Sequence, residues 1–224
     1  IRPPPRSTLF PYTTLFRSVR MPVAPLTLPD GRTVNSSPKF DNGRNFCNKL
    51  WNASRFAMMN LEGTDPTAFD ASKMDITDKW ILSRLATVVR DVTETLKSYR
   101  FNDPVNALYK FFWNDLCDWY LEWAKPRMAD AAQRPIAQNV LAFALDQTLR
   151  MLHPFVPFIT EGIFQNLNAI APVRKLGTLA ESPSAESIMI APWPACLDAL
   201  IAPDIEQQIQ TLQNCIGAIR DIRN

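Results

Sequence analysis

The 224-residue sequence is 46% apolar, contains four cysteines and a single histidine, and carries a formal charge of +2. That apolar content can fill a core, and no uninterrupted apolar run approaches the roughly 18 residues of a membrane span. No two cysteines stand in Cys-x-x-Cys spacing, which excludes zinc fingers and thioredoxin-like redox sites; four scattered ones suit a reduced, cytoplasmic compartment. The small positive charge lies wholly in residues 1–18. Setting aside Arg2, Arg6 and Arg17 leaves 21 basic against 22 acidic residues. Any nucleic-acid surface must therefore be a local patch rather than a whole-chain field.

Residues 1–18 show neither helical nor strand periodicity and no long apolar stretch of the signal-peptide kind. Residues 8–18, TLFPYTTLFRS, resemble the conceptual translation of a widely used sequencing-library adapter. The segment is read as artefactual or disordered and is set apart from function. Residues 19–37 are rich in turn formers, including Pro22, Pro25, Pro29 and Asp30-Gly31, and read as a linker or hairpin remnant. A first helix opens over residues 38–42, with Asp41 or Asn42 as its cap, and buries Phe46, Leu50, Ala53, Ala57 and Leu61.

Thr77 or Asp78 is expected to cap a second helix, whose inner face is Ile81, Leu85, Val88, Val92, Leu96 and Tyr99. Asn102-Asp103-Pro104 pairs a cap with a first-turn proline for a third helix. Val105, Leu108, Phe112, Leu116, Trp119 and Trp123 form its apolar stripe, and Lys125-Pro126 should end it. A fourth helix spans residues 134–152 with Leu141, Leu145, Thr148 and Leu152 inward. Pro154 and Pro157 break it before a shorter helix through Ile159, Ile163 and Leu167.

Residues 171–202 read as a linker with one short extended stretch at 187–191. A last helix over residues 203–224 places Ile205, Ile209, Leu212, Ile216 and Ile219 on one face. The expected fold is all-α: an antiparallel helical bundle over residues 38–170 followed by a trailing C-terminal helix. With no C-cap at its end, the pattern is expected to be a piece of a longer protein.

Opposite the core face of the first helix lies a stripe of Asn45, Lys49, Asn52 and Phe56, flanked by Arg44, Asn48 and Arg55. Amides offer donor and acceptor together, lysine neutralises phosphate, and an exposed ring offers a stacking plane; these types read unpaired RNA bases. The ordinary alternative is a solvated helix face. On the third helix Asp115, Asp118 and Glu122 share one face, which suits acid–base chemistry, a metal, or simply a salt-bridged surface. No second acid cluster or histidine supports chemistry there, and His153, beside a helix-breaking proline, reads as a capping or packing residue.

Residues 43–56 (GRNFCNKLWNASRF), 113–127 (WNDLCDWYLEWAKPR), 152–164 (LHPFVPFITEGIF) and 186–194 (ESIMIAPWP) together resemble the valyl-tRNA synthetases of class I. The resemblance covers residues 39–224, with the four motifs in the family's order. It implies the helical anticodon-binding domain, and for residues 203–224 the start of a C-terminal extension. The Lys49-to-Phe56 string favours valyl over isoleucyl or leucyl relatives, and a non-catalytic protein-interaction bundle is the alternative outside the family.

The resemblance implies that Asn52 hydrogen-bonds an anticodon base edge and Phe56 stacks on a base. Lys49 and Arg44 would hold phosphate, with Asn45 and Asn48 in support. The family segment before Lys39 also contributes, but Ser36-Ser37-Pro38 departs from the usual pattern. The family's His-Ile-Gly-His motif has no counterpart, since His153 is followed by Pro154, and residues 73–76 (KMDI) lack the second lysine and serines of its Lys-Met-Ser-Lys-Ser loop. No catalytic residue, metal ligand or cofactor is therefore expected in this chain. ATP and valine ligation are implied only for a cytoplasmic, monomeric parent enzyme, with valine-acceptor tRNA as partner and no membrane contact.

Overall fold

In the computed structural model, residues 23–28, 30–36 and 38–223 are described. The reading of residues 1–18 and of Ser37 as part of a family segment lies outside them. The chain divides into two units, Ile1–Asn48 and Lys49–Asn224. The first holds a two-stranded antiparallel hairpin, β1 (Ala24–Thr27) and β2 (Thr33–Ser36), paired from Ala24↔Ser36 to Thr27↔Thr33. Gly31 takes φ +82°, a turn conformation open to a residue without Cβ, and Asp30 pairs with Arg32 at 2.7 Å. The hairpin is the structure that the proline-rich stretch contains.

Helix α1 (Pro38–Leu61) starts earlier than its expected cap, so Asp41 lies in its first turn rather than before it. In the second unit its buried face is Leu50, Ser54, Ala57, Met58 and Leu61. Helix α2 (Ile76–Lys97) begins at Asp75, not at Thr77 or Asp78. Asp75 Oδ1 accepts from the Thr77 and Asp78 amides at 2.8 and 3.0 Å, and the Asp78 carboxylate accepts from the Asp75 amide at 3.2 Å. This is a capping box, which satisfies orphan amides from both sides. The inner stripe from Ile81 to Val92 is buried as expected, but Tyr99 is not part of it; it lies beyond the helix end with its ring in solvent.

The aromatic-rich helix is three joined segments: α3 (Asn102–Lys110), a π-helical segment Phe111–Tyr120, and α4 (Leu121–Ala129). The helix opens at Phe101 without a side-chain cap, so Asn102 does not cap it. Widening to i→i+5 bonding shifts which residues face inward. Phe111, Cys117, Tyr120, Leu121 and Ala124 join Leu108, Phe112 and Leu116 in the core, while Val105 is exposed and Trp119 and Trp123 are half-buried. Pro126 does not end the helix. Arg127, one residue on, makes two hydrogen bonds to the buried Asp78 at 2.7 and 2.6 Å, and Tyr120 donates to the same carboxylate at 2.9 Å. A bidentate charged pair of this kind holds the last turn despite the missing amide.

Helix α5 (Arg134–Leu152) is buried from Ile136 to Leu152 and packs against α2, α4 and α6 (Pro157–Ile170). Buried polar groups need partners, and α5 supplies them. Gln138 donates to the Asn60 carbonyl at 2.7 Å, and Asn139 to the Asp65 carbonyl at 2.9 Å. His153 follows the helix and bonds through Nδ1 to Thr160 Oγ1 at 2.8 Å, the packing role expected of it.

The stretch read as a linker contains a second hairpin, β3 (Arg174–Leu176) and β4 (Ala180–Ser182), packed on α5. Arg174 and Arg150 both pair with the buried Asp146, at 2.9 and 2.7 Å, and Ser182 donates to the same carboxylate. The extended stretch expected at 187–191 is instead a 3₁₀ turn at Ile188–Ile190, capped by Ser187. Helix α7 (Pro203–Arg223) buries Ile209, but Leu212 and Ile219 are exposed, so the expected stripe is only half used. Its anchor is Glu206, which accepts from Ser83 and pairs with Arg84 at 3.2 Å.

Candidate nucleic-acid interface

Helical phase turns Leu50, Ala57 and Leu61 inward and leaves Asn52 exposed, with Lys49 and Phe56 half-buried at the edges of the same face. Lys49 Nζ lies 3.2 Å from Asp118 Oδ1 and 4.9 Å from the centroid of the Trp113 ring. Trp113 in turn stacks on Tyr109, centroids 5.4 Å apart and 17° from parallel. At the other edge, Lys125 Nζ sits 5.3 Å over the Phe56 ring while pairing with Glu122 at 2.6 Å. The face therefore carries two cations held over aromatic rings, with an exposed amide on α1.

In the unit Ile1–Asn48, Arg44, Asn45 and Asn48 are all exposed on α1, and Arg44 pairs with Asp41 at 3.0 Å. Of the six residues read as RNA contacts, Lys49, Asn52 and Phe56 thus share one face of the larger unit. Trp51, Arg55 and Met59 add exposed surface on the same helix; Arg55 and Met59 border a groove of about 530 Å³ closed on its far side by Asn166 and Ile170.

The acidic row of the aromatic helix is a salt-bridged surface. Asp115 pairs with Arg84 at 3.1 Å, Asp118 with Lys49 and Glu122 with Lys125. Burial lifts the Asp115 carboxyl above its ordinary range, against the pull of Arg84. Beneath the face, burial pushes the Cys117 thiol up to about 12, with Lys49 pulling it down and Asp118 pushing it further up. Sequence reading put Asp118 on an acidic or salt-bridged helix face, took Lys125 with Pro126 for a helix end, and gave Trp113 no separate role. Their part in the face depends on the π-helical winding, for which residue spacing holds no signal. Lys73 and Asp75, near the superficial match to a nucleotide-gripping loop, lie at a 3₁₀ turn and a helix cap. Among the described residues, no helix is long and apolar enough to cross a membrane.

The larger unit is thus a helical bundle with an exposed amide, aromatic rings and two lysines on one face. The family described as the anticodon-binding domain of tRNA ligase matches residues 78–224, and the chain belongs to that family. It is 45% identical over 197 residues to the valine–tRNA ligase of Rhodopirellula baltica, covering 88% of this chain and 19% of that one. Similarity to the valine–tRNA ligase of Fervidobacterium nodosum is 43% over 184 residues, 82% of this chain and 20% of the relative. For that of Thermotoga maritima it is 41% over 194 residues, 86% and 20%. The chain spans about a fifth of the length of these curated relatives.

Proposed function

We propose that this chain is the anticodon-reading part of a valine–tRNA ligase. The observation that carries the reading is the identity to valine–tRNA ligases over more than four-fifths of the chain, and the Lys49–Asn52–Phe56 face accords with it. In this reading Asn52 hydrogen-bonds a base edge, and Phe56, with Lys125 already over one side of its ring, offers its remaining edge or face to a base. Lys49 and Arg44 hold phosphate, and Asn45 and Asn48 support them. The parent enzyme joins valine to its tRNA with ATP, as a cytoplasmic monomer; this chain contributes recognition and no chemistry.

The test is a titration of the full chain with a valine-acceptor anticodon stem-loop, beside a circular-dichroism melt. Asn52→Ala and Phe56→Leu are each expected to weaken binding about 5- to 150-fold, the equivalent of one lost base contact. Asn52 is exposed, and leucine keeps much of the apolar volume of Phe56, so both variants should melt close to wild type. Unchanged affinity in both would overturn the contact assignment. Equal affinity for an isoleucine-acceptor stem-loop would overturn the valine reading.

A further inference from the structure

Arg84 of α2 is shared between two carboxylates from two other elements. Its Nε donates to Asp115 of the π-helical segment at 3.1 Å, and its Nη1 to Glu206 of α7 at 3.2 Å. Glu206 also accepts from Ser83, which is fully buried and itself accepts from the Ala202 amide at 2.8 Å. The side chains of Arg84, Asp115 and Glu206 are only 33%, 18% and 23% exposed, so water screens them weakly. One cation against two anions leaves a net negative charge in a half-buried cluster.

That imbalance matters because α7 buries little. Among its described residues Ile209 alone is buried, and towards its far end Arg220 lies over the Trp119 ring at 5.4 Å. The charged groups that meet in the cluster are Arg84 from α2, Asp115 from the π-helical segment and Glu206 from α7, and these act on one another. Asp118, one turn beyond Asp115, is turned to Lys49. Of the two carboxylates, Glu206 receives two donors, Ser83 and Arg84, and Asp115 one. Hydrogen bonds to an ionised carboxylate favour that form, so the first proton taken up goes to Asp115. Burial lifts the Asp115 carboxyl, Arg84 opposes the shift and Glu206 adds to it.

We infer that Asp115, Arg84 and Glu206 form a proton-operated latch for α7, which grips more tightly when Asp115 takes up a proton. Ionised Asp115 repels Glu206 and draws on the same guanidinium; neutral Asp115 leaves Arg84 to Glu206 alone. The Asp115 carboxyl is raised from its ordinary value of 3.8, so its contribution is full below that value and is lost as pH rises through the raised one. Acidification from neutrality therefore tightens α7, whereas it loosens a helix held by simple ion pairs. The device belongs to α7 and stands whether or not the chain reads an anticodon.

Hydrogen exchange of the full chain, read by mass spectrometry and corrected for the intrinsic pH dependence of amide exchange, tests the latch. Protection over residues 207–216 is compared with that over residues 136–152 of α5 in the same samples. Between about pH 7.5 and about pH 4.5 the wild-type ratio should rise about 2- to 5-fold, the size of one part-exposed charge contact. Asp115→Asn keeps an oxygen for Arg84 but removes the charge, so at neutral pH it should already show the raised ratio and lose the pH dependence. Glu206→Gln should lower the ratio. An Asp115→Asn ratio at or below wild type at neutral pH overturns the latch, since a plain stabilising ion pair gives that result. Should the substitution also loosen α5, the wild-type pH series decides, and a flat or falling ratio overturns the proposal.

Discussion

The Lys49 ammonium and the Asp118 carboxylate, 69 positions apart in the chain, meet at 3.2 Å on the face that carries Asn52. The contact leaves Lys49 part-neutralised, so the two partners make opposite predictions for RNA. Lys49→Ala should lower affinity for any RNA and flatten the salt dependence by about one unit. Asp118→Asn should raise affinity and steepen the salt slope, because it frees the ammonium for phosphate. The pair is partly exposed, so either change should alter stability by less than about 1 kcal/mol. Binding titrations across a salt series check both arms.

The Asp146 carboxylate is fully buried between Arg150 and Arg174, whose guanidinium groups also lie over the Phe164 ring at 5.5 and 5.2 Å. Asp146→Asn leaves two buried cations with no counter-charge, a loss of about 3–5 kcal/mol. The β3–β4 hairpin should detach from α5 first, because Arg174 and Ser182 both anchor through this carboxylate. Urea denaturation gives the free energy, and hydrogen exchange at Arg174–Leu176 tests the order of loss.

Leu85→Ala and Trp119→Ala should differ. Leu85 is buried in the centre of α2, and its truncation should cost about 2–5 kcal/mol. Trp119 is half-buried, with its ring 5.2 Å from Trp123 and under Arg220 at 5.4 Å. Losing one aromatic pair and one cation–π contact should cost about 1–2 kcal/mol. Equal costs in a denaturant series would contradict the inward shift produced by the π-helical segment.

Cys117 should resist alkylation while Cys196 and Cys215, both exposed, react. With its pKa pushed to about 12, the Cys117 thiolate at pH 8 is on the order of one part in ten thousand. Its folded pKa lies above the ordinary thiol value of 9.0, so this contribution to stability is full below pH 9 and is lost as pH rises toward 12. Iodoacetamide labelling read by mass spectrometry checks the reactivity order; equal rates at Cys117 and Cys196 would show that the π-helical segment opens.

Helix existence and most core positions were legible because apolar period is a local property. Ile81, Leu85, Val88, Leu141, Leu145, Ile163 and Leu167 are inward as their spacing predicts, and the all-α bundle follows from them. Four motifs, at residues 43–56, 113–127, 152–164 and 186–194, carried the resemblance to the family, and the match over residues 78–224 agrees with it. What spacing could not reveal depends on partners distant in sequence. Pro126 stays inside a helix because Arg127 grips Asp78, a contact across 49 positions. The short hairpin at 174–182 exists because Asp146 neutralises Arg174, and a linker-like composition holds no trace of that charge. The winding of Phe111–Tyr120 moves Trp119 toward the surface and brings Trp113 and Asp118 to Lys49. Sequence alone determined which residue types line the face of α1. Tertiary structure decided which rings and carboxylates stand across from them, because ion pairs and ring contacts form between elements whose separation along the chain has no period.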